Sequence, residues 1–184
     1  IMNNKYLLLI SATAILLQSC WNKNHSNSLE NPSPYFKNFM TGNEETVLRN
    51  IGFNVSPEEL KKQETSKLYE ETPDHLFYEY SFPTDSTPFS EYANIQYFFN
   101  EDNQLDIITA DIYMSDSLQE NKLRNNLTDY FNQRYGLATK DDNGEEVWSG
   151  KYKDKNAKTT YKYTVDIKDL EDDDYGVSIE YVRE

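Results

Sequence analysis

Five stretches of this chain switch between apolar and polar at every second residue. HLFYEYSF sets Leu76, Tyr78, Tyr80 and Phe82 against Phe77, Glu79 and Ser81, and ANIQYFFN sets Ala93, Ile95, Tyr97 and Phe99 against Asn94, Gln96 and Phe98. LDIITADIYM follows the same rule. TTYKYTVDI sets Tyr161, Tyr163, Val165 and Ile167 against Lys162, Thr164 and Asp166, and YGVSIEYV alternates in the same way. Successive side chains of a strand point to opposite faces, so this period describes antiparallel strands with one buried face and one wet face. Such a sheet must find something to cover its apolar side.

The cover is legible as helices. In NVSPEELKKQE, Ser56 is placed to cap a helix, Pro57 suits its first position and Glu59 completes a capping box, with Val55 and Leu60 as a hydrophobic staple. In SLQENKLRNNLTDYFNQRYG, Leu123, Leu127, Tyr130, Phe131 and Arg134 recur at helical spacing. Ser117 and Glu120 suggest a second capping box, and Gly136 a stop. NEETVLRNIGF reads as a further short helix, with Val47, Leu48 and Ile51 on one side and Gly52 ending it. SKLYEE, LATK and EEVWSGKY supply the remaining extended segments, and Asn143-Gly144 in DDNG favours a tight hairpin. The order helix, four strands, helix, four strands predicts an α+β fold. In it, tandem α-β-β-β-β units at about 43–114 and 115–184 share one antiparallel sheet, with helices packed on one face.

Residues 1–42 read differently. YLLLISATAILL, Tyr6 to Leu17, is apolar but well short of the roughly 20 residues that span a bilayer. A signal peptide over 1–19 fits better. Leu17-Gln18-Ser19-Cys20 then resembles the lipobox of bacterial lipoproteins, in which the Cys thiol receives a diacylglyceryl group and cleavage falls just before it. Gln18 is uncommon at its position, and an ordinary signal peptide followed by a Cys is the alternative. The resemblance implies that Cys20, the single cysteine, is lipidated. The protein would then be held to a membrane of the bacterial cell envelope, on a periplasmic or surface face. More than one acyl chain is needed for stable anchoring. With one cysteine there is no intrachain disulfide. WNKNHSNSLENPSPYFKN lacks apolar periodicity, and residues 20–42 are expected to form a flexible tether.

The charge of −14, from 32 acidic and 18 basic residues, disfavours nucleic acid as a partner. Two histidines and one cysteine make a zinc site of ordinary type improbable on composition. The chain contains no G-x-S-x-G, P-loop or G-x-G-x-x-G. His75, at a strand start, reads as structural or surface. Abundant carboxylates do not by themselves specify a glycosidase pair. KDDNGEE and DLEDDDYG are acidic loops in which Asp172, Asp173 and Asp174 offer oxygen ligands of the kind calcium takes, though neither fits a twelve-residue calcium loop. No cofactor and no enzymatic activity are expected.

IGFNVSPEELKK, IQYFF, NQRYG and EEVWSGKY together resemble a large group of mostly uncharacterised exported bacterial proteins, over roughly Ile51 to Tyr181. The layout is similar to that of the beta-lactamase inhibitor protein and of small outer-membrane assembly lipoproteins. That resemblance implies a non-catalytic module that binds another envelope or exported protein, as inhibitor, immunity factor or assembly helper. The candidate binding face is the polar side of the sheet. There Phe77 and Phe98 point opposite their strands' apolar sets, beside Gln96, Lys162 and Thr164. The alternative is a carrier of a small ligand or calcium.

Overall fold

Every alternating stretch is a strand in the computed structural model, which describes residues 28–42, 44–83, 91–154, 159–170 and 175–184. The strands are β1 (Lys67–Thr72), β2 (His75–Ser81), β3 (Tyr92–Phe99), β4 (Leu105–Tyr113), β5 (Thr139–Lys140), β6 (Glu146–Lys153), β7 (Thr160–Asp169) and β8 (Gly176–Arg183). The helices are α1 (Pro34–Phe39), α2 (Pro57–Gln63) and α3 (Ser117–Tyr135), with a 3₁₀ turn at Ser28–Glu30. All eight strands form one antiparallel sheet in the order β1-β2-β3-β4-β8-β7-β6-β5. The fold is thus α+β and mostly sheet. Among the described residues no helix is long and apolar enough to cross a membrane.

Among the described residues, one face of the sheet takes all the helical cover. On α3, Leu123, Leu127 and Phe131 are sealed from solvent. Phe131 packs on Trp148 and Tyr181 at ring distances of 5.3 and 6.1 Å. Phe39 of α1 meets Tyr80 and Phe82, each at 6.0 Å, and Phe53 meets Tyr163 at 5.4 Å. Gly150 is required here, because any Cβ would run into the Tyr163 ring. Trp148 also donates its indole N–H to Asn132 Oδ1 at 2.9 Å, which ties β6 to α3.

Three expectations are corrected. Asn, Ser and Pro dominate residues 28–42, which suits the expected tether, yet the fold begins by Ser28. Ser33 caps α1 by accepting from Phe36 N–H, and Tyr35, Phe36 and Phe39 are buried. Ser33 itself is held by Asn126, a fully buried polar residue of α3 whose Oδ1 accepts from Ser33 N–H at 2.8 Å. The helix over NEETVLRNIGF is instead a tight turn. Leu48 and Ile51 form a bridge while Arg49 and Asn50 have φ of 49° and 64°, the pattern of a type I′ turn. Val47, Leu48 and Ile51 are buried all the same. At α3 the cap is Asp116, accepting from Gln119 N–H at 2.9 Å, one residue before the expected Ser117. The capping box at Ser56 and Glu59 is present in full.

Left-handed backbone at Arg49 is held by a buried ion pair. The guanidinium forks onto Glu64, Nε to Oε2 at 3.1 Å and Nη2 to Oε1 at 2.9 Å. It also lies over the Tyr80 ring at 4.6 Å and near Phe39 at 5.4 Å. Glu64 further accepts from Tyr97 Oη and from the backbone N–H of Thr65 and Ser66, each at 2.8 Å. Burial alone would push this carboxyl up, but the Arg49 and Ser66 hydrogen bonds outweigh it and hold Glu64 down at about 2. Arg49 is thereby the joint between the turn, α2 and the first half of the sheet.

Candidate functional site

The face opposite the helices is built from the other parity of the same strands. Where two apolar residues stand side by side in a strand, one must land on each face. Phe77-Tyr78, Phe98-Phe99, Ile107-Ile108 and Tyr181-Val182 are such doublets. Their open-face members lie near one another. Phe98 is opposite Ile107, and Ile107 is opposite Val182. Phe77 is opposite Gln96, and His75 opposite Phe98.

At the β1 end these rings form a ladder. An irregularity between Leu68 and Glu70 inserts an extra residue in β1, and Tyr69 turns onto the open face, 5.2 Å from Phe77. His75 stacks on Phe98 at 4.5 Å with an interplanar angle of 11°, and on Phe77 at 6.5 Å. His75 Nε2 meets Gln96 Oε1 at 3.1 Å, so the imidazole plane is set by a hydrogen bond as well as by the rings. Tyr69 is 63% exposed, while His75, Phe77, Phe98, Ile107 and Val182 are half-buried.

The middle of the open face is polar. Ser178 donates to Asp111 at 2.6 Å, and Lys168 bridges Glu180 at 2.8 Å and Asp166 at 3.2 Å. Burial pushes Asp166 above the usual aspartate range, with Lys168 pulling the other way. Asp166 Oδ1 and the Thr109 hydroxyl are closed from water and have no hydrogen-bond partner among the described residues. Farther along, Tyr92 stacks on Tyr113 at 4.6 Å and 14°. Phe98 lies six positions along β3 from Tyr92, about 20 Å of strand. Between them lies a trough of about 530 Å³ whose floor includes Gln96, Thr109, Asp111 and Glu180. Leu170 walls one side. It folds over Gly176, where a Cβ would collide with it.

The residues singled out from the sequence therefore separate into two places. Phe77, Gln96 and Phe98 are neighbours. Thr164 sits on the same face opposite Val182 and Ser149, three strands from Phe98, or about 14 Å. Lys162 is exposed farther out, opposite Lys151. The expected single patch is thus corrected to an aromatic end and a lysine end, because sheet order puts β4 and β8 between the two hairpins. Sequence reading missed Tyr69, His75, Ile107 and Val182, although the doublets carried the signal for the last two.

Cys20, Asp172, Asp173, Asp174 and most of the loop after Pro83 lie outside the described residues. Among the described residues no group of three His, Cys, Asp or Glu is arranged to hold a metal ion. No protein family, curated protein or solved structure matches the chain.

Proposed function

We propose that the protein is a lipid-anchored module of the bacterial envelope that acts by binding another exported protein, without catalysis, through the aromatic end of its open sheet face. The observation that carries this reading is the Tyr69–Phe77–His75–Phe98 ladder. Large rings kept at a half-wet surface, on the face the described helices leave uncovered, are the side chains that dominate binding energy at protein interfaces. The lipobox-like Leu17–Cys20 supports the anchor. The order α2, β1–β4, α3, β5–β8, with β4 and β8 adjacent at mid-sheet, supports tandem units of one ancestral type.

The test is a photo-crosslinking residue at position 77 in cells, with Phe98→Ser as control. A discrete crosslinked protein that disappears in the Phe98→Ser variant, while that variant stays folded with only a small fall in melting temperature, is the expected result. Crosslinks that survive it would defeat the reading. Cys20→Ala should move the protein to soluble fractions, and a native Cys20 with an unmodified thiol by mass spectrometry would refute the anchor.

The trough favours a second reading, a small polar ligand held between the two stacks, since its volume lies in the range of small-molecule sites. Asp111→Asn would then lower ligand affinity and leave the crosslink at position 77 intact.

A further inference from the structure

The chain carries a large excess of acid, yet one edge of its sheet is basic. β5 pairs only with Glu146 and Val147, whereas β6 runs on to Lys153 against β7. From Trp148 onward the outer edge of β6 has no strand beside it among the described residues.

Two hydrogen bonds settle which backbone groups face outward. Thr139 Oγ1 donates to the Val147 carbonyl at 3.2 Å, so Val147 presents its backbone to the outer side. At the far end, Glu184 N–H donates to the Lys162 carbonyl at 3.0 Å, so Lys162 turns its backbone toward β8. Its partner across the β6–β7 ladder, Lys151, must then turn outward. Both bonds give the same parity. The N–H and C=O of Ser149, Lys151 and Lys153 point off the edge of the sheet.

The side chains of those residues share the open face. Lys151 and Lys153 are exposed, as is Lys162 directly opposite Lys151. None of the three forms an ion pair among the described residues. Facing like charges destabilise a strand pair, so folding alone gives no reason to place them together. Alongside the edge, on its helix side, runs a groove of about 710 Å³ walled by Glu44, Glu45, Gln133, Arg134 and Tyr135.

We propose that the β6 edge takes an extended segment of a partner protein, alternating acidic with uncharged residues, as an added strand. Main-chain hydrogen bonds to Ser149, Lys151 and Lys153 would hold it, and the two side-chain rows would select it. The acidic row belongs on the lysine side. The opposite row is uncharged, because the groove on that side sets Glu44 and Glu45 alongside Arg134 and the Tyr135 ring and so favours neither sign of charge. A second copy of β6 is a poor occupant, since antiparallel self-pairing brings lysine to lysine. This surface is separate from the aromatic ladder, so either can fail without the other.

The probe is an acetylated, amidated octapeptide alternating Glu with Val and Thr, compared with the same peptide carrying Lys for Glu, each titrated against the full chain. The acidic peptide should bind at least about ten-fold tighter, and its affinity should fall as salt screens the charges. It should slow amide exchange at Ser149, Lys151 and Lys153. The triple variant K151E/K153E/K162E should reverse the preference. Ser149→Pro removes one outward N–H without touching the β6–β7 ladder, and should abolish binding at unchanged melting. Should that variant melt lower, amide exchange in the unaltered chain decides. Equal affinity for the two peptides, or no added protection at these three amides, would overturn the proposal. Self-association abolished by K151E/K153E/K162E would overturn it as well, because it would assign the edge to another copy.

Discussion

On the covered face, Phe131 packs against Trp148 at 5.3 Å and both are sealed from water; on the open face, Phe98 packs against His75 at 4.5 Å and both stay half-exposed. The strands are shared and the side chains are alike, so aromatic character does not distinguish core from surface here. What differs is the neighbour. Trp148 has α3 above it and a hydrogen bond to Asn132. Phe98 has no described helix above it, only the rings and aliphatic side chains of its own sheet. Removing a core ring leaves a cavity that packed surroundings cannot fill, whereas removing a half-exposed ring leaves water in its place.

The sharpest way to break this contrast is Trp148→Ala against Phe98→Ala. The first should lower unfolding free energy by about 3–5 kcal/mol and the second by about 1 kcal/mol or less, both read from urea denaturation. Equal losses would mean that the open face is covered in the folded protein.

A loss of similar size, about 3 kcal/mol or more, is expected for Arg49→Ala, because it strands the Glu64 carboxylate in the interior. The double variant Arg49→Met with Glu64→Leu should recover much of it. The same pair makes a pH prediction. Glu64 has its carboxyl pKa depressed from the ordinary 4.5 to about 2. Its contribution is therefore complete above pH 4.5 and is lost as pH falls toward 2, by about 3 kcal/mol in all. Glu64→Gln should lack that part of the acid sensitivity in a pH series of urea melts.

Phe77→Ser together with Phe98→Ser should lower stability by only about 1–2 kcal/mol, far less than Trp148→Ala alone. Thermal melting checks this, and a fall as large as for Trp148→Ala would place both rings in the core. The smallest effect concerns the lysine end. Lys151→Glu replaces a facing like-charge pair with an opposite one across to Lys162, and should stabilise by about 0.2–1 kcal/mol, less in high salt.

Legibility followed the range of the interaction involved. The capping box at Ser56 and Glu59 lies within four residues and forms as read. Ser33-Pro34 has the same Ser-Pro opening, but its polar surroundings masked it. What makes α1 worth forming is contact with Tyr80, Phe82 and Asn126, far away in sequence. Val47, Leu48 and Ile51 show the converse. Their spacing suits a helix face, and they are buried, but Arg49 must leave the helical region to reach Glu64. A long-range ion pair overrides local propensity. In the candidate site, Phe77 and Phe98 were legible because alternation assigns faces. Their company was not, because it depends on which strands become neighbours.

By itself, the sequence determined which side of the five alternating strands faces inward, where α2 and α3 run, and that the open face would carry rings at Phe77 and Phe98. These follow from covalent geometry, which fixes the two-residue and 3.6-residue periods. Only the tertiary structure decided that β8 pairs with β4, that Phe98 therefore meets Ile107 and Val182 while Lys162 lies at the far end, and that no described strand covers most of the outer edge of β6 beside the last turn of α3. Strand order and edge exposure depend on how separate apolar faces share one cover. That is a property of the whole packed core, and no local period encodes it.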